Sequence, residues 1–94
     1  MTRSLRVAAT SPEIILGEVD GNLERIRAAL QAGSEGGAQL IVVPELATCG
    51  YMFTDRSEAT EASVTCDDPR WEALTAALAP GAVAVVGYAE RHGT

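Results

Sequence analysis

Apolar residues gather in three short runs, and the stretches between them are polar or carry helical spacing. Residues 5–10 form the first run, closed by Ser11-Pro12, and predict a strand. Val19, Leu23, Ile26 and Leu30 then recur on one helical stripe. They predict a helix from Val19 to about Gly33, with Arg25 and Arg27 on the solvated side and Asp20 suiting the dipole of the first turn. Gly33-Ser34-Glu35-Gly36-Gly37 predicts its stop. Residues 38–43 show no alternation after Gln39, the mark of a strand covered on both faces in a parallel sheet. The polar stretch 54–67 predicts at most a short helix around 58–62. Asp68-Pro69 reads as an N-cap and first helical residue, with Trp71, Leu74 and Leu78 as the apolar face and Pro80-Gly81 as the end. Residues 82–89 predict a third strand and 90–94 a turn, with Glu90 and Arg91 on a hairpin surface. The order β-α-β-(α)-α-β is an α/β pattern whose first βαβ crossover should be right-handed. Ending on an unfinished turn, the chain reads as a fragment.

Composition narrows the function classes. Ninety-four residues make one small domain, and 47% hydrophobic content with a mean hydropathy of +0.09 is globular rather than disordered. A net charge of −6 disfavours nucleic acid and anionic membranes as partners. All seven basic side chains are arginine, so the chain contains no lysine. Cys49 and Cys66 match no disulfide framework or zinc spacing, and the single histidine is His92. There is no signal-peptide pattern and no run of membrane-spanning length, which makes a cytoplasmic location the expectation.

One position stands out for chemistry. Leu40-Ile41-Val42-Val43 is closed by Pro44 and followed at once by Glu45. In open α/β sheets, ligands and reactive groups collect at the exits of strands. A carboxylate buried there would have its pKa raised toward the range useful for proton transfer. The alternative, that Glu45 caps a turn or pairs with an arginine, stays open on position alone. Tyr51 and Phe53 could line a substrate pocket or pack the loop onto the sheet. Cys49 reads better as an apolar filler than as a nucleophile, with no histidine or lysine near to activate it. Cys66 has a weaker case, and His92 reads as a turn residue. Asp67 and Asp68 read as cap and turn. Gly33, Gly36 and Gly37 precede a strand, so they do not form a phosphate loop.

The segment from Leu40 through Pro44-Glu45-Leu46-Ala47-Thr48-Cys49-Gly50-Tyr51 resembles the first signature of the nitrilase, or carbon–nitrogen hydrolase, superfamily. Gly17-Glu18-Val19-Asp20-Gly21-Asn22-Leu23 is similar to that family's first-helix start, and Val85-Val86-Gly87-Tyr88-Ala89-Glu90-Arg91 to its third strand. The resemblance implies the N-terminal portion of an α-β-β-α sandwich: about three strands of one sheet with covering helices. With the second sheet missing, one sheet face should lie exposed.

The resemblance further implies an amidase- or nitrilase-type hydrolase of non-peptide C–N bonds that works through glutamate, lysine and cysteine without metal or organic cofactor. Glu45 takes the glutamate's place as general base, while Tyr51 and Phe53 remain candidate substrate contacts from their position alone. The partner implied is a small amide or nitrile, and complete members are expected to be homo-oligomers. This chain departs from the pattern in having no lysine and no cysteine at the nucleophile's position. It should therefore be inactive alone. The contrasting reading is a non-catalytic α/β interaction module or a remnant of that fold. A receiver-like signalling domain fits worst, because Ala9-Thr10-Ser11 stand where its acidic residues belong.

Overall fold

The computed structural model describes residues 3–50 and 52–91. Its elements follow in the order β1 (Val7–Ala9), α1 (Val19–Glu35), β2 (Leu40–Val42), α2 (Arg56–Glu61), α3 (Trp71–Ala76) and β3 (Val83–Val85). The three strands form one parallel sheet in the order β1-β2-β3. Val7, Leu40 and Val83 stand in one row, then Ala8, Ile41 and Ala84, then Ala9, Val42 and Val85. The architecture is the expected α/β one, three parallel strands with three helices.

Helix α1 forms where its stripe requires, burying Leu23, Ile26 and Leu30. It runs past the expected stop because Gly33 is a packing residue. A Cβ at Gly33 would lie 2.9 Å from Ile41 Cδ1, so the glycine lets α1 settle onto β2. The stop falls at Gly36 and Gly37, the latter with φ of +88°. Ser34 Oγ accepts from the Ala79 N–H and ties this end to the turn before β3.

Helix α3 starts later than Asp68-Pro69 suggests. Asp68 Oδ1 accepts from the Arg70 N–H and shapes a turn ahead of the helix, which opens only at Trp71. Arg70 also bridges Asp20 of α1, joining the two helices at their N-terminal ends. α2 is capped by Asp55, whose carboxylate accepts from the Glu58 N–H at 2.8 Å.

The core lies between one sheet face and the pair α1 and α3: Ile41 meets Leu23, Ile26, Leu30 and Leu74, with Ala8, Ala84 and Trp71 at its margin. Each fully buried aliphatic side chain there contributes about 1.5–3 kcal/mol. The other face is open. Val7, Val42, Val83 and Val85 are exposed, so β2 is covered on one face and not on two. Its unbroken apolar run describes a strand with neighbours on both sides, whereas helices cover one side here. Of the turn expected over 90–94, residues 92–94 lie outside the described residues. Glu90 pairs in parallel with Val64, with Val64 N–H donating to Ala89 and Arg91 N–H to Val64. Among the described residues no helix is long and apolar enough to cross a membrane.

Candidate functional site

The exit of β2 is built by backbone. Val43 N–H donates to the Val85 carbonyl at 2.8 Å, which carries the ladder one residue beyond β2. Pro44 has no N–H to continue it, and the chain turns at Glu45. Ala47 N–H then donates to the Gly87 carbonyl at 2.9 Å, so the segment after β3 frames the turn from one side. The approach is close enough that a Cβ at Gly87 would lie 2.6 Å from Glu45 Cα and 2.8 Å from Leu46 N. Leu46 itself has φ of +50°, left-handed for a residue with a side chain. Such a conformation costs of order 1–3 kcal/mol and gathers at working sites. Cys49 and Gly50 N–H both donate to the Leu46 carbonyl and close the turn.

The second side is the start of α1. Gly17 N–H donates to the Cys49 carbonyl at 2.9 Å, and Asn22 Nδ2 to the Thr48 carbonyl at 3.0 Å. The residue reading overlooked Asn22, although the signal is present. Position 22 lies three after Val19 and four before Ile26, which puts an amide on the apolar stripe. Arg25 is likewise more than a solvated residue: it donates to Asn22 Oδ1 and to the Glu13 carbonyl.

Glu45 is exposed. The expected burial is absent: the frame grips the loop by its main chain and leaves this residue at the surface. Clefts lie elsewhere: one of about 550 Å³ between α1 and α3 past Gln31 and Ala77, one of about 420 Å³ by Gly17 and Arg70 at the start of α1, and one of about 360 Å³ beside β3 at Trp71, Leu78 and Tyr88. Phe53 is half-buried on the way to α2, and Tyr51 lies outside the described residues, as does His92.

The two thiols differ sharply. Cys49 is fully buried, with Sγ donating to the Gly50 carbonyl at 3.3 Å. Burial pushes its pKa up, opposed by the Thr48 hydroxyl and the Ala89 backbone. Burial and the net raised pKa suit the filler role and not an activated nucleophile. Cys66 is exposed, on the rim of the cleft beside β3. Asp68 is held down to about 2, chiefly by its hydrogen bonds from the Arg70 side chain and N–H, which fits a turn anchor. Among the described residues no group of three or more His, Cys, Asp and Glu side chains is placed to hold a metal ion.

The sequence profile of the carbon-nitrogen hydrolase family matches residues 6–94, through β1, the Glu45 turn and the segment after β3. The chain belongs to the carbon-nitrogen hydrolase family. A nitrilase from Pyrococcus abyssi (strain GE5 / Orsay) is 34% identical over 87 residues, covering 88% of this chain and 32% of that protein. The carbon-nitrogen hydrolase chain described here thus spans about a third of the length of the curated relative it matches. The residues matched by the family profile contain the framed Glu45 and both sides of the frame.

Proposed function

We propose that this chain forms the part of an amidase- or nitrilase-type hydrolase that carries the general base, Glu45. The observation that supports this best is the Glu45 turn itself: an exposed carboxylate at a strand exit, in a chain of this family, held by main-chain contacts on two sides. Glu45 takes the proton of a cysteine thiol, and the sulfur attacks the carbon of an amide or nitrile. For an amide the C–N bond then breaks and the nitrogen leaves as ammonia or amine, its proton returned from Glu45. Glu45 next accepts a proton from water, whose oxygen attacks the thioester to give the acid and regenerate the thiol. A lysine would stabilise the oxyanion formed when the thiol attacks an amide and when water attacks the thioester.

The thiol and the lysine come from outside these 94 residues in this reading. The chain has no lysine, and Cys49 is buried with its pKa raised. The 94-residue chain alone is therefore inactive, and its substrate is a small amide or nitrile only as part of a complete domain. The test measures ammonia release from simple amides and nitriles by the isolated chain and by a complete domain containing it. No release from the chain, and release from the domain that Glu45→Gln abolishes without unfolding it, is expected. Turnover by the isolated chain, or full activity of Glu45→Gln in the domain, would sink the proposal. The absence of lysine also motivates the second reading, a non-catalytic interaction module. It is favoured if the open reading frame stops at Thr94, and disfavoured if a lysine and a strand-end cysteine follow.

A further inference from the structure

We infer that Asn22 is a positioning residue for Glu45, fixing its turn through the Thr48 carbonyl. The inference rests on the reading of Glu45 as general base. Asn22 lies in the first turns of α1, 1% exposed, and the other buried residues of that helix, Leu23, Ile26 and Leu30, are apolar. A side-chain amide offers two donor protons and two acceptor lone pairs. All four are engaged. Oδ1 accepts from the Ile15 N–H at 2.8 Å and from Arg25 Nη2 at 2.6 Å, while Nδ2 donates to the Ile15 carbonyl at 2.8 Å and the Thr48 carbonyl at 3.0 Å.

The clasp on Ile15 leaves no ambiguity about which end is nitrogen. Only the NH2 group satisfies two carbonyls, and only the oxygen satisfies a backbone N–H and a guanidinium. With two bonds to Ile15 ahead of α1 and one from Arg25 fixing the amide, the fourth reaches the loop three residues after Glu45. The Gly17 bond to Cys49 runs alongside it, so two successive loop carbonyls are tied to α1 and the segment leading into it, while Ala47 N–H is tied to Gly87. Glu45 stands just ahead of these ties. If the stripe needed only burial, leucine or valine would serve at position 22. The amide serves the main chain of Ile15 and, across the fold, the carbonyl of Thr48.

The test uses a complete domain containing this chain and the variant Asn22→Asp, which keeps the shape and the acceptors and loses the donors. Its carboxylate would face the carbonyls of Ile15 and Thr48, and its protonated form would regain one donor. At pH 8, kcat per folded molecule is expected to fall about tenfold or more, with KM within about twofold. The ratio of variant to unaltered kcat should rise as pH falls. A side chain that merely supports folding would lower the folded amount and leave kcat per folded molecule unchanged at every pH, which would overturn the inference. Glu45→Gln measured alongside separates the two failures. If it is inactive while Asn22→Asp is normal, the positioning role falls and the general base stands; if it is active, both fall. Should Asn22→Asp not fold, proton exchange in the unaltered protein decides. The Asn22 side-chain amide should exchange at least about tenfold more slowly than that of exposed Gln39, and equal rates would overturn the inference.

Discussion

Gly87 and Glu45 meet main chain to main chain: a Cβ on the first would come within 2.6 Å of the Cα of the second. Alanine at 87 must therefore push back the Glu45 turn or the segment after β3, since the atoms it meets are backbone. Overpacking of this kind costs about 1–3 kcal/mol. Gly87→Ala should lower the melting temperature accordingly, by about 4–8 °C for each kcal/mol in a domain of this size. In a complete domain its activity should fall further than its stability, because displacing a reacting group by about 1 Å can cost on the order of a hundredfold. Unchanged melting and unchanged turnover would mean that the contact is looser than described.

Thiol labelling checks the division between the cysteines. At neutral pH the folded chain should react at Cys66 and stay protected at Cys49, so one equivalent of reagent is consumed before denaturation and a second after it. Rapid labelling of Cys49 in the folded chain would reopen its claim as a nucleophile.

Acid unfolding reports on Asp68. Its folded pKa of about 2 lies below the ordinary 3.8, so folding favours the ionised form. That contribution is whole above about pH 4 and is lost as the pH falls toward 2. Asp68→Asn should flatten the loss of stability across this window and leave the slope above about pH 5 unchanged. An identical acid limb in both proteins would remove the Arg70 pairing as its cause.

The open sheet face should make the isolated chain associate. Val7, Val42, Val83 and Val85 lie side by side on adjacent strands, all exposed. Sedimentation over a range of concentrations should show self-association, reduced in Val42→Thr/Val85→Thr. A monomer at every concentration would show that the face is tolerated bare.

Much of this was legible in the sequence because periodicity reports local geometry. The stripe of Val19, Leu23, Ile26 and Leu30 specified α1, and the run ending in Pro44 specified the site of Glu45. Cover was less legible. The run from Leu40 to Val43 describes a strand's intended neighbours, and these need not lie in the same 94 residues. Long-range close approaches were not legible at all. Gly33 looked like a helix stop and is a packing contact with Ile41; Gly87 looked like an ordinary strand residue and is the clearance for Glu45. Asn22 was visible as a misfit in its stripe, but the carbonyl it serves is assigned only by the fold.

The parallel ladder also sets an order of events. Val43 and Ala47 take their partners from Val85 and Gly87, about forty residues later in the chain. During synthesis the Glu45 turn would emerge early with Asn22 already behind it, yet one side of its frame would not exist until β3 had left the ribosome and joined the sheet. Non-local pairing of this kind closes late. The carboxylate at the centre of the proposed chemistry would be made about forty residues before the segment that fixes its turn.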